Sequence, residues 1–137
     1  MIKSYSKINL FLKVLKKNNK DLHNLQSSTM LLDLYDRIDI KNIKKKQDEI
    51  NFSGKFSKNI SKKNNSITKS LQLLRKHSFV SKKKRYKIIV DKKIPVFAGL
   101  GGGTSNAVFL IKYFLKNKIN SNLLSTCEKE IGSDFRL

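Results

Sequence analysis

Apolar side chains recur at every second position near the start of the chain. On one face of residues 4–15 these positions are Ile8, Leu10, Leu12 and Val14. A period of two is typical of a β-strand, so we predict a first strand there. Similar apolar segments predict further strands at residues 25–33, 36–42 and 85–92.

The second and third of these strands are separated by a predicted break near Tyr35 and Asp36. After them, residues 44–63 are the most polar part of the chain and predict an exposed loop or hairpin, with one short strand at residues 49–54. The last predicted strand ends near Pro95, which has no N–H to donate to a sheet.

Helical spacing replaces the period of two in three segments. In residues 66–77 apolar side chains recur at intervals of three or four, which predicts a helix with Ser66 as its N-cap. The same kind of spacing predicts helices over residues 104–116 and 121–131. Strands clustered early and helices clustered late indicate an α+β fold, with a mixed sheet and helices on one face.

The composition is strongly basic, since the chain of 137 residues carries a formal net charge of +20. Such a charge suggests a polyanionic partner. The lysine runs at residues 44–46 and 82–84 support an alternative in which the chain is a basic nucleic-acid-binding module. However, only four of the 30 basic residues are arginines, the better side chains for bidentate phosphate contacts. Abundant Lys, Asn and Ile are what an AT-rich coding sequence would produce, so we interpret most of the charge as solvated surface and expect no nucleic-acid partner.

The sequence gives no sign of a membrane span or a signal peptide. No apolar stretch approaches the roughly 18 residues that a membrane span requires, and the N-terminus lacks a signal-peptide core. We therefore expect a cytoplasmic protein with no membrane partner.

Cys127 is the single cysteine, which excludes a disulfide or a cysteine-based metal site within the chain. We expect it to be a small buried apolar residue.

A glycine cluster follows the last predicted strand. The segment PVFAGLGGGTSNA, residues 95–107, places four glycines between Gly99 and Gly103. A strand, a glycine-rich turn and a helix N-terminus together form a phosphate site, because glycine lets backbone N–H groups converge on an anion and the helix dipole favours negative charge. Thr104 and Ser105 add two hydroxyls at the first helical turn. The segment lacks the Gly-Lys-Ser/Thr ending of a Walker A motif and the acidic residue of a dinucleotide fingerprint.

This glycine segment resembles the phosphate-binding motif of the GHMP kinases. Two further segments, SKINLFLKV at residues 6–14 and DLHNLQS at residues 21–27, resemble the 4-diphosphocytidyl-2-C-methyl-D-erythritol kinases within that superfamily. VDKKIP before the loop and EIGSDF after the third predicted helix keep the order and spacing of that family. The resemblance implies that residues 1–137 form the ribosomal protein S5 domain 2-like N-terminal, ATP-binding domain of the GHMP kinases.

The same resemblance implies phosphorylation by ATP of the 2-hydroxyl of 4-diphosphocytidyl-2-C-methyl-D-erythritol, in the non-mevalonate route to isoprenoid precursors. The implied cofactors are ATP and Mg²⁺, and the implied partner is this small-molecule substrate. Lys7 and Asp134 match the family's catalytic lysine and aspartate. Asn9 and His23 match positions that face the substrate, although Leu22 replaces the tyrosine that usually precedes the histidine and stacks on the cytosine.

The residues expected to bind ATP lie mainly in the glycine segment. They are Pro95, Val96, Phe97, Ala98, Gly99, Leu100, Gly101, Gly102, Gly103, Thr104 and Ser105, together with Asn65 and Lys92, which match positions that approach the adenine. No compact group of Asp and Glu side chains marks a metal cage. We therefore expect the phosphates, water and a hydroxyl such as that of Ser105 to hold the Mg²⁺.

Members of the family are longer and continue into a C-terminal GHMP domain, which is absent from this sequence. The resemblance therefore implies a truncated or inactive form of the kinase. Three alternatives stay open: a fragment, the product of a decayed gene, or half of a split enzyme whose C-terminal half is separately encoded.

Overall fold

The computed structural model describes residues 1–17, 23–116 and 126–127, apart from the side chains of residues 16–17 and 23–25. Its strands are β1 (Ile2–Lys17), β2 (His23–Ile43), β3 (Glu49–Ser53) and β4 (Arg85–Asp91). Its helices are α1 (Ser66–Lys76) and α2 (Gly102–Leu115). Thr126 and Cys127 are helical as well, and the rest of the helix predicted at residues 121–131 lies outside the described residues.

The four strands form one mixed sheet in the order β1-β2-β4-β3. Strand β2 runs antiparallel to both β1 and β4, whereas β3 runs parallel to β4. The register places Ile38 opposite Val90 and Ile50 opposite Ile88. The parallel pair is connected through α1, since parallel neighbours need a long crossover connection. The mixed sheet with its helices confirms the predicted fold class.

Both helices pack on one face of the sheet. Ile88 and Val90 of β4 are fully buried in a cluster with Leu71 of α1 and Leu110 of α2. Ile89, between the two buried positions, points the other way and is 36% exposed. This alternation is the period of two expected for a strand with one covered face, and it agrees with the prediction of helices on one face.

A second cluster lies between the helices. Leu74 of α1 packs there with Ala107 and Ile111 of α2. Cys127 is fully buried in the same cluster, as expected of a small apolar residue.

The predicted break in the middle of β2 is wrong. Strand β2 is continuous over 21 residues, and Tyr35 and Asp36 pair with Tyr5 and Ser4 of β1 at consecutive positions. Asp36 lies within the continuous strand, although burial of a carboxylate is normally costly. It is nevertheless fully buried, since polar partners surround it in the way described below.

The alternating apolar side chains of β1 do not face the core. Those most exposed are Leu10, Leu12 and Val14, at 61%, 53% and 59%. Ser4 and Ser6, near the start of the strand, are fully buried instead. The reason is the position of α2, which packs against the beginning of β1, where the rings of Tyr5 and Phe109 are in contact.

The helix ends also differ in detail from the prediction. The N-cap of α1 is Asn65 rather than Ser66, because the Asn65 side chain accepts a hydrogen bond from the backbone N–H of Thr68 at 2.9 Å. Asparagine is among the strongest N-caps. Helix α2 begins at Gly102, earlier than the predicted start at residue 104.

A partly buried carboxylate joins three elements at one end of the sheet. Asp48, just before β3, accepts two hydrogen bonds from the guanidinium of Arg75 in α1, at 2.6 and 2.9 Å. The backbone N–H of Tyr86 in β4 donates a third at 2.9 Å. Burial raises the pKa of Asp48, but the hydrogen bonds from Arg75 and Tyr86 and the Arg75 charge outweigh that effect and hold the pKa below its usual value.

Because the pKa of Asp48 is lower in the folded state, its stabilising contribution is complete above the unfolded-state pKa of about 4 and is lost as the pH falls through the folded-state pKa. We expect Asp48→Asn to lower the free energy of unfolding at pH 7 by about 1–3 kcal/mol. The difference from the unmodified chain should shrink as the pH falls below about 4. Urea denaturation over this pH range measures this, with the exposed Asp33→Asn as control, and an undiminished difference at low pH would contradict the expectation.

Candidate nucleotide site

A cavity of about 470 Å³ opens beyond the carboxyl end of β4. One wall is continuous in sequence, since every residue from Pro95 to Thr104 lines it. The facing wall comes from the turn that precedes α1, with Phe52 of β3 beside it. The residues of this turn are Asn59, Ile60, Ser61, Asn64, Asn65 and Ser66. The structure thus brings the expected glycine segment and Asn65 to one cavity, which Lys92 also lines.

Every second residue from Phe97 to Gly101 has a positive φ. Phe97, Gly99 and Gly101 have φ values of 61°, 71° and 66°, in the left-handed region. A turn that contains left-handed residues can direct successive N–H groups toward one concave side, an arrangement that binds anions. Because α2 begins at Gly102, the unpaired N–H groups of its first turn join the same wall of the cavity.

Two glycines in this segment lie close to neighbouring side chains. A Cβ added at Gly102 would lie 2.9 Å from Cγ2 of Ile94, whose side chain is fully buried and has no room to move. A Cβ added at Gly101 would lie 3.2 Å from Cγ of Lys7. In contrast, a Cβ added at Gly103 would meet no atom within 4 Å. The first helical turn therefore sits directly on Ile94 and on the stem of Lys7.

Lys7 is held against the glycine segment by its backbone as well as by its stem. Its N–H donates to the carbonyl oxygen of Leu100 at 3.0 Å, at a point where the β1–β2 register shifts. Lys7 is only 6% exposed. The structure thus places the expected catalytic lysine next to the loop, whereas Asp134, its expected partner, lies outside the described residues.

The two expected substrate residues lie farther along the β1–β2 pair. Asn9 is exposed on β1, and its side-chain oxygen accepts a long hydrogen bond of 3.4 Å from the hydroxyl of Ser27. His23 begins β2 opposite Lys17, and its side chain is outside the described part of the structure. Asn9 does not line the cavity formed by the glycine segment.

A buried cluster around Asp36 contacts the chain on both sides of the glycine segment. The carboxylate forms an ion pair with Lys92, and it accepts a hydrogen bond from the side-chain amide of Asn106 at 3.0 Å. The backbone N–H groups of Lys93 and Ile94 donate to its other oxygen at 2.8 and 2.9 Å. One carboxylate therefore fixes the chain just before the loop and the second turn of the helix after it.

This cluster changes the roles open to the two residues expected near the adenine. The ammonium of Lys92 is directed to Asp36, and the Lys92 side chain is 4% exposed. The Asn65 amide is engaged as well: its oxygen caps α1, and its NH₂ donates to the carbonyl oxygens of Ser61 and Lys62 at 2.9 and 3.2 Å. Both residues line the cavity, but their polar groups are committed within the protein.

The two hydroxyls after the glycines face different ways. Thr104 lines the cavity, whereas Ser105 is fully buried, and its hydroxyl lacks a hydrogen-bond partner among the described residues. In residues 1–17, 23–116 and 126–127, no three His, Cys, Asp or Glu side chains come together as metal ligands. No helix in those ranges has the length and apolar character needed to cross a bilayer.

Comparison with known proteins finds kinases among those similar to this chain. The family described as "GHMP kinases N terminal domain" matches residues 65–131. The 4-diphosphocytidyl-2-C-methyl-D-erythritol kinase of Pelagibacter ubique is 46% identical over 139 aligned positions, covering 99% of this chain and 48% of the relative. The enzyme of the same name from Thermosipho melanesiensis is 35% identical, covering 98% and 46%. The chain spans about half the length of the curated relatives it matches.

Solved structures show the same fold. A crystal structure of 4-(cytidine 5'-diphospho)-2C-methyl-D-erythritol kinase aligns with a TM-score of 0.69 at 21% identity, covering 98% of this chain and 46% of that one. Homoserine kinase from Cytophaga hutchinsonii aligns with a TM-score of 0.59 at 20% identity, covering 74% and 34%. The chain belongs to the GHMP kinases and carries their N-terminal domain.

The packing at Gly102 yields a direct test of the loop. We expect Gly102→Ala to lower the free energy of unfolding by about 1–3 kcal/mol, because the new methyl group overlaps Ile94 in a filled interior. Gly103→Ala is the matched control. It should raise the free energy of unfolding by up to about 1 kcal/mol, since alanine is the better helix former in open space. Urea denaturation of both variants measures this, and equal effects would show that the contact with Ile94 is unimportant.

Proposed function

We propose that the cavity binds Mg-ATP and that the domain serves a kinase that phosphorylates a hydroxyl group of a small molecule. The observation that carries this proposal is the alternating left-handed backbone of Phe97, Gly99 and Gly101, which leads directly into the N-terminus of α2 on one wall of a cavity. Converging N–H groups and a helix N-terminus are favourable for the phosphates of a nucleotide.

The expected positions of the phosphates follow from this wall. The N–H groups of residues 101–103 would surround the donor phosphates, and the hydroxyl of Thr104 would reach them from the first helical turn. The helix dipole adds about 0.3–1 kcal/mol, rising to about 2 kcal/mol when the site is partly buried. The converging N–H groups must supply the larger share.

Mg²⁺ would enter with the triphosphate. Phosphate oxygens and water suit it as ligands, and the described residues offer the Thr104 hydroxyl at the cavity and no cluster of acidic side chains. When bound, the ion neutralises charge on the β- and γ-phosphates. Ser105, the hydroxyl expected from the sequence, is buried behind Thr104 and would have to change its rotamer or environment to join it.

For the acceptor, we propose 4-diphosphocytidyl-2-C-methyl-D-erythritol, phosphorylated on its 2-hydroxyl in the isoprenoid route. Support comes from the names of the relatives and from their similarity along nearly the whole chain. In this proposal Asn9 and His23, both on the β1–β2 pair that leads away from Lys7, contact the cytidine end of the substrate. Such a substrate would bridge the strand pair and the glycine segment.

The proposed chemistry assigns one task to each of two residues. Asp134 accepts or orients the proton of the attacking hydroxyl. Lys7 pairs with that aspartate and neutralises charge on the phosphoryl group in transfer. Phosphoryl transfer depends mainly on positioning and charge stabilisation, so the close packing of Lys7 on Gly101 and Leu100 favours this role.

We expect the 137-residue chain to bind Mg-ATP saturably and one to one, with a dissociation constant within the roughly 1 μM–1 mM range typical of enzyme substrates. Isothermal titration calorimetry measures this directly. A parallel titration with random single-stranded DNA at two salt concentrations tests the nucleic-acid alternative. Steeply salt-dependent DNA binding without any Mg-ATP binding would overturn the proposed function in favour of a nucleic-acid-binding module.

The proposed catalytic roles are tested in a full-length protein that carries this domain. Asp134→Asn and Lys7→Met should each lower kcat by about 100-fold or more, while the KM for ATP changes little, because both act on the transfer step. Lys13→Met, an exposed lysine on the same strand as Lys7, is the control and should keep normal turnover. Parallel losses in kcat and in ATP affinity would indicate a structural role instead.

A further inference from the structure

The exposure of Phe97 is unusual for an aromatic side chain at a cavity. Phe97 is 95% exposed, more than any other large apolar side chain in the described ranges, and it lies within the wall formed by Pro95 to Thr104. Its φ of 61° is also uncommon for a bulky residue, because the left-handed conformation brings Cβ close to the backbone. The protein therefore holds a ring at the cavity in a conformation that a glycine would adopt more easily.

The facing wall offers hydrogen-bonding groups that the fold does not use. Asn59 and Asn64 are exposed at the cavity, and their side-chain amides make no hydrogen bond to another described residue. By contrast, the polar groups of Asn65 and Lys92 are committed to the α1 cap and to Asp36. Recognition of a base by these last two residues would first have to break buried interactions.

We propose that Phe97 stacks on the purine base of the bound nucleoside triphosphate, with the amides of Asn59 and Asn64 at the edge of the base. This inference rests on the proposed function, because it takes the phosphates to lie on the N–H groups at residues 101–103. A ligand anchored there keeps its base within the same cavity that Phe97 borders. Aromatic stacking suits this task, since every base presents a flat face, whereas the amides distinguish its edge.

The test compares Mg-ATP with magnesium tripolyphosphate, which has the phosphates but no base, by calorimetry on the 137-residue chain. Phe97→Leu should weaken Mg-ATP binding by between about 5-fold and 100-fold, as expected for loss of one stacked base, and leave tripolyphosphate binding unchanged. Phe97→Tyr keeps the ring and should keep the affinity for Mg-ATP. Phe79→Leu, which alters a 43% exposed phenylalanine outside the cavity wall, is the matched control and should change neither affinity.

A second variant separates a ligand contact from a structural role. Phe97→Gly should raise the thermal midpoint of the unliganded chain, because glycine relieves the left-handed φ, and still weaken Mg-ATP binding at least as much as Phe97→Leu. A purely structural residue would lower the midpoint and the affinity together.

The outcomes are distinct for the two proposals. Normal Mg-ATP affinity in Phe97→Leu, or an equal loss of Mg-ATP and tripolyphosphate binding, would overturn the stacking role and leave the nucleotide site in place. An unmodified chain that binds tripolyphosphate as tightly as Mg-ATP would overturn it as well. An unmodified chain that binds neither ligand would overturn the proposed function, and the stacking role with it.

Discussion

The ion pair and hydrogen bonds of Asp36 are the constraint on which the cavity depends. A buried carboxylate is costly unless it is paired and hydrogen-bonded. Here Lys92, the Asn106 amide and two backbone N–H groups meet that requirement together. Because these partners come from the chain just before the glycine segment and from the helix just after it, satisfying one carboxylate fixes both ends of the loop. Between these two fixed ends lie the residues with positive φ, Phe97, Gly99 and Gly101.

The fold followed from patterns that depend on local sequence. Period two and helical spacing located the strands and helices, and their order along the chain gave the α+β class with a mixed sheet. The pattern failed where burial was decided by distant partners. Asp36 and Ile38 are two residues apart and are both buried, so they lie on the same face of β2. This spacing is the one expected of a continuous strand. The partners of the Asp36 carboxylate lie more than 50 residues away in sequence, so the local pattern could not reveal them.

The candidate site likewise combines residues that the sequence indicated with residues that it did not. Glycine spacing and the resemblance to a kinase family directed attention to Pro95–Thr104 and to Lys7, which the structure places together. The sequence did not indicate Asn59, Asn64 or Asn106, because a single asparagine gives no signal in a chain that is rich in asparagine. Thr104 and Ser105 looked equivalent, and the turn of the helix separates them, since neighbouring helical residues point in different directions. Asp134 stays a prediction from resemblance.

The topology of the sheet also sets an order of assembly. Strands β1 and β2 are neighbours in sequence, whereas β2 pairs with β4 across an intervening strand and helix. Closing that long connection is entropically expensive, and such non-local pairing slows folding. Asp36 reaches Lys92 only when β2 and β4 have aligned, because Arg37 and Asp91, adjacent to these two residues, are themselves register partners. The glycine segment consequently gains its support from Asp36 only after these two distant strands have paired.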